Sequence, residues 1–163
     1  MNERIREAAY RVLRGTLKVE KRPGYCLKLV RQIVEDALDM APGDFYRVFV
    51  YPHFHLNPGE TYEDIKPYWA RGAERALREQ GFMVHIDQAK PGDLVFSYRV
   101  SRPYGHVGIL LDGKMVLENT TARRGWNRND MGAIRYTPMR EWGPITTVAR
   151  LRMPGGEQHD SLA

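Results

Sequence analysis

The sequence predicts an α+β fold, with N-terminal helices packed on an antiparallel β-sheet, and three observations predict it. Apolar residues recur at helical spacing through the N-terminal part. Short apolar runs bounded by turn residues fill the C-terminal part. Between two of those runs stands Asp112-Gly113, a strong hairpin signal. Helices first and antiparallel strands afterwards is the α+β order.

Each element follows from local pattern. Ile5, Ala8, Ala9, Val12 and Leu13 keep the i, i+3, i+4, i+7, i+8 spacing, which predicts a helix over residues 3–14 ended by Gly15. Pro23-Gly24 is a turn, and a second helix follows it with Val30, Ile33, Val34, Ala37 and Leu38 as its apolar stripe. Ala41-Pro42-Gly43 stops that helix. "FYRVFVY" reads as a short strand, and "PHFHLNPGETYEDIK" as a loop. A third helix starts at Pro67 and ends before Gly81, burying Trp69, Ala73, Ala76 and Leu77. A strand over residues 94–99 precedes the loop "SRPYG" and the hairpin. The chain then reads as a strand, a helical turn at "MREW" and a last strand. Residues 1–153 form one expected domain, and residues 154–163 a frayed tail.

Composition narrows the class. The chain has 163 residues, 42% hydrophobic and 28% charged, which is ordinary for a globular protein. No apolar run approaches the length of a membrane span. Lys and Arg number 25 against 20 Asp and Glu, a net +5 that favours anionic partners without choosing among them. The N-terminus is charged and amphipathic and lacks a signal-peptide apolar core, so synthesis in the cytoplasm without a classical leader is the expectation. A single cysteine, Cys26, excludes an internal disulfide and a cysteine-cluster zinc site. His53, His55 and His85 offer no convincing third and fourth ligand spacing, so no metal and no cofactor are expected.

The hairpin brings a base and an acid together. A two-residue turn at Asp112 and Gly113 would set His106 opposite Asn119. A three-residue loop, Leu111 to Gly113, pairs Leu110 with Lys114 and sets His106 opposite Glu118, with Gly113 in the left-handed position. Side-chain alternation favours the second. It gives one apolar face of Val107, Ile109, Met115 and Leu117, and another carrying His106, Gly108, Leu110, Lys114, Val116 and Glu118. The imidazole and carboxylate would then lie roughly 5 Å apart at Cβ. A cross-strand ion pair is the ordinary reading of such a couple. Cys26, however, falls in the first turn of the second helix, where the helix dipole and unpaired N–H groups favour a thiolate. An imidazole beside it favours that form further, and a carboxylate on the other ring nitrogen sets tautomer and angle. Asn119 is the alternative third member under the two-residue turn.

"GYCLKLVRQIV", "KPGDLVFSY" and "YGHVGILLDGKMVLENTT" together resemble the NlpC/P60 and CHAP group of papain-like cysteine peptidases and amidases. The likeness covers roughly residues 20–152. It implies Cys26 as nucleophile, His106 as general base and Glu118 as the orienting residue. It also implies a hydrolase that cuts amide bonds in peptidoglycan stem peptides. Tyr25 is a candidate oxyanion donor, and Tyr104 and Asn119 are candidate cleft residues. The chain departs from the family where Tyr25-Cys26-Leu27-Lys28 replaces the common Asp-Cys-Ser-Gly, and where an acid rather than histidine is third, as in CHAP domains. A helix also stands between the cysteine segment and the histidine strand. The resemblance fits a phage endolysin or a secreted amidase effector, a monomer that acts on the cell wall after release or non-classical export, the effector blocked by an immunity or inhibitor protein. The competing class is a structural or binding module with an inert cysteine, such as a phage-tail component or a basic nucleic-acid-binding domain. Arg123, Arg124 and Arg128 with Trp126 could clamp nucleic acid, but a solvated loop near the cleft is the better reading, so no specific nucleic acid is expected. A thioester acyltransferase acting on lipid is the third reading.

Overall fold

The computed structural model describes residues 1–98, 103–120, 133–142, 145 and 147–153. Helix α1 (Asn2–Leu13) buries Ile5, Ala8, Ala9 and Val12, four of the five residues whose spacing predicts it. Helix α2 (Cys26–Ala37) buries Leu29, Val30, Ile33 and Val34 and packs on α1 on one side and on the sheet on the other. Helix α3 (Ala70–Glu79) begins three residues after Pro67 and buries Ala73, Ala76 and Leu77. Trp69 is its N-cap and is half-buried. No helix among the described residues is long and apolar enough to cross a membrane.

Six strands form one antiparallel sheet: β1 (Met83–Val84), β2 (Leu94–Ser97), β3 (His106–Leu111), β4 (Met115–Asn119), β5 (Ile134–Pro138) and β6 (Thr147–Ala149). Their order is β1-β6-β2-β3-β4-β5. A short helix α4 (Met139–Trp142) leaves β5 at "MREW". One sheet face presents Phe96, Val107, Ile109 and Leu117 to the helices and makes the main core with Phe45, Phe49, Ile33 and Leu77. The other face holds a smaller cluster of Val95, Leu110, Val116 and Val148, covered by Met139 and Ile145.

Two expectations are corrected. The stretch expected as a strand, "FYRVFVY", is instead a π-helical turn over Tyr46–Val50 followed by a 3-10 turn over Tyr51–His53. Its buried residues are Phe45, Phe49 and Val50. That i, i+4, i+5 spacing suits a turn wider than an α-helix and has no period of two. The hairpin has a three-residue loop, but the loop is Asp112–Lys114 and not Leu111–Gly113. Leu111 therefore pairs with Met115, and Glu118 faces Gly108 rather than His106. Gly113 is left-handed as expected (φ 70°), and Lys114 adopts the same region (φ 57°). A shift of two positions preserves every side chain's face, so the apolar alternation survives the error.

Candidate active site

The Pro23-Gly24 turn, with Gly24 at φ 87°, delivers the chain to α2 so that Cys26 is its first residue. Tyr25 is the N-cap, and no side chain caps the helix. The first turn holds no acid either. The positive end of α2 thus meets the thiol without a competing anion from its own turn. Cys26 is free and partly exposed.

His106 opens β3 after Gly105, whose φ of 77° turns the strand into the sheet. His106 and Glu118 are both buried, at 5% and 6% exposure. The imidazole Nε2–H donates to Glu118 Oε1 at 2.7 Å; a carboxylate can only accept, which places the proton on Nε2. The contact is diagonal, since Glu118 pairs across the ladder with Gly108. A Cβ at residue 108 would lie 2.5 Å from Val116 Cγ1 and 3.5 Å from Glu118 Cβ. Residue 108 thus has no room for a side chain against Val116 and the Leu117 carbonyl oxygen, on the ladder position that pairs with Glu118.

With Nε2 committed to Glu118, Nδ1 is the ring nitrogen left for Cys26. Burial pulls the His106 pKa down, but the hydrogen bonds the ring donates to Cys26 and Glu118, with the electrostatic attraction of both, outweigh it. The result is pushed up from 6.5 to about 9. The imidazole therefore holds a proton firmly at neutral pH, between a sulfur and a carboxylate.

Cys26 and His106 share the wall of a cleft of about 610 Å³, between the start of α2, the start of α3 and the ends of β3 and β4. Tyr25 and Tyr104 both line it and are 41% and 52% exposed. Tyr104 packs edge-on against Trp69, with ring centroids 4.7 Å apart. Asn119 also lines the cleft, but its side chain is fully buried and its Nδ2 donates to the Glu20 carbonyl at 3.2 Å. It touches a backbone oxygen, whereas Glu118 touches the imidazole. All six residues singled out from sequence thus gather at this one cleft or directly behind it. Sequence reasoning missed Lys28, Tyr46 and Tyr68, which also line it. The usable signal was the density of aromatic residues between Tyr46 and Trp69, in a stretch read as strand, loop and the start of a helix. Among the described residues no cluster of His, Cys, Asp and Glu could hold a metal ion. Arg123, Arg124, Trp126 and Arg128 lie outside the described residues, as does the tail from 154 onward.

A cysteine at a helix start thus shares one cleft with a histidine that its neighbouring carboxylate holds on an antiparallel sheet. The NlpC/P60 family model matches residues 48–140, more than half of the chain and inclusive of His106 and Glu118; the match begins after Cys26. The chain belongs to the NlpC/P60 family, whose members are generally hydrolases of the cysteine peptidase or amidase type. Among solved structures it is similar to NlpC2 from Trichomonas vaginalis, with a TM-score of 0.50 and 14% identity, covering 90% of this chain and 46% of that one. The chain thus spans about half the length of that neighbour, and the likeness is one of fold. No curated protein matches it.

Proposed function

We propose that this protein hydrolyses amide bonds in the stem peptides of bacterial peptidoglycan, with Cys26 as nucleophile, His106 as general base and acid, and Glu118 as the orienting residue. One observation carries the reading: the His106 ring is held by Glu118 on Nε2 and hydrogen-bonded to Cys26 at the wall of an open cleft. Cys26 Sγ attacks the amide carbon as the thiolate, its proton already held by His106 before the attack. An imidazole with a pKa of about 9 keeps that proton until the C–N bond breaks, then delivers it to the leaving amine. Water, deprotonated by the now neutral imidazole, hydrolyses the thioester and regenerates the thiol. The backbone N–H of Cys26, at an uncapped helix start, faces the developing oxyanion, with Tyr25 beside it. Glu118 holds the ring at one angle and stabilises the imidazolium.

The reading extends to an endolysin or secreted amidase effector that is made in the cytoplasm and acts on the wall after release, the effector restrained by an immunity protein. The test is digestion of purified peptidoglycan of several wall chemotypes, with products read by mass. The wild type releases peptide fragments with a new amine and a new carboxylate, and Cys26→Ala loses that activity by at least about 10⁴-fold. No peptide-bond cleavage in any chemotype, or equal cleavage by Cys26→Ala, contradicts the reading and favours a binding module with an inert thiol.

A further inference from the structure

We infer that Ser97 is a positioning residue for His106, and that it acts by holding one buried water molecule in a void that the histidine separates from the cleft; this rests on the assignment of His106 as general base. Ser97 closes β2 and pairs directly with His106 of β3, so the two side chains leave the same face of the sheet, about 5 Å apart at Cβ. Ser97 is 1% exposed. Among the described residues its Oγ has no hydrogen-bond partner, and a buried hydroxyl left unpaired costs free energy. Ser97 and His106 line a void of about 10 Å³, with Arg71, Glu74, Gly105 and Tyr98 among its other walls. That is about the space one water molecule needs.

The void and the cleft share two residues, Gly105 and His106, so the histidine is part of the partition between them. Helix α3 supplies another wall. Its Arg71 N–H donates to the Tyr104 carbonyl at 2.9 Å, and a Cβ on Gly105 would lie 3.0 Å from that same nitrogen. The chain entering β3 is therefore clamped to the first turn of α3 through its backbone. Glu74, one turn further along α3, accepts hydrogen bonds from Thr147 Oγ1 and from Arg78 Nη2, the latter at 3.3 Å. A carboxylate accepts along about four lone-pair directions. A water in the void thus meets a hydroxyl on the sheet side and a carboxylate on the helix side, and a buried water needs at least two such partners. An apolar void of this size stays dry and leaves slack beside the ring. Filled by a water that Ser97 holds, it keeps the imidazole at the angle set by Glu118.

A crystal structure of the full chain should show a water within hydrogen-bond distance of both Ser97 Oγ and the Glu74 carboxylate. A void without one, or Ser97 Oγ bonded to a protein atom instead, overturns the inference. Kinetics per folded molecule read the consequence for the ring. Ser97→Ala lowers kcat about three- to tenfold and leaves KM unchanged, because Ser97 acts on the general base and not on the substrate. Ser97→Thr and Ser97→Val have one shape and differ by a hydroxyl, so crowding from the added methyl is common to both. The threonine variant exceeds the valine variant by a similar factor; equal rates in the two overturn the inference. Alkylation of Cys26 by iodoacetamide ranks the variants in the same order without turnover, since the thiolate depends on the imidazole beside it. A wild-type alkylation rate in Ser97→Ala also overturns it. Where no peptidoglycan is cleaved, the substrate reading fails by itself, and the alkylation ranking and the water still decide the role of Ser97.

Discussion

Two glutamates among the described residues are buried, and their surroundings differ in kind. Glu35, on the last turn of α2, is met by Arg31 Nη1 at 2.6 Å and by the backbone N–H groups of Gly43 at 2.8 Å and Phe45 at 3.1 Å. Its partners are a permanent cation and two amides, and it does not line the cleft. Glu118 is as deeply buried, yet it is held by the ring of His106, a titratable group that loses its proton as pH rises through about 9. The first arrangement joins α2 to the segment after it. The second stores a charge relation that changes whenever the histidine titrates. The same helix carries both lessons, since its far end opens on Cys26 without a cap. Burial of an acid alone therefore says little; what satisfies it decides whether it locks a fold or tunes a reaction.

Removing the locked carboxylate sharpens that contrast most. Glu35→Ala leaves the partly buried Arg31 without its partner and two amides unpaired, and should cost about 3–5 kcal/mol in chemical denaturation. The milder Glu35→Gln keeps the shape and loses less. In both, each folded molecule should keep its hydrolytic rate; a fall in activity of the folded fraction would erase the distinction between the two sites.

A smaller effect is expected at Gly108. The Cβ added by Gly108→Ala meets Val116 Cγ1 at 2.5 Å and the Leu117 carbonyl oxygen at 2.9 Å, so the β3–β4 ladder must shift. The cost is about 1–3 kcal/mol of stability. Activity should fall with it, because Glu118 pairs with residue 108 and the shift carries its carboxylate away from His106. A variant that is neutral in both measurements would break the account of the diagonal contact.

The face of each residue in the hairpin was legible because a period of two survives a register error of two. Val107, Ile109 and Leu117 lie in the core, and His106 and Glu118 share the other parity, as the alternation requires. The register itself was not legible. It depends on Lys114 taking a left-handed backbone, which local preference assigns to glycine, so the loop was placed one residue early. Cys26 could be placed in a first turn because Pro23-Gly24 punctuates the chain just ahead of it. The aromatic wall was opaque. Tyr46 reaches the cleft from a π-helical turn, which has no sequence period that short windows reveal, and Tyr68 and Trp69 reach it from the residues ahead of α3.

The central claim is that thiol, imidazole and carboxylate act as one unit, and titration of His106 by NMR tests it directly. Its folded pKa lies above the value of 6.5 for a free side chain. The protonated ring therefore stabilises the fold fully below about pH 6.5, and that stability is lost as pH rises through about 9. The account predicts a midpoint near 9 in the wild type, moved to lower pH by Glu118→Gln, which removes the negative charge, and lowered also by Cys26→Ala. A wild-type midpoint near 6.5, unmoved by either substitution, would show three neighbours that do not act on one another and would contradict it.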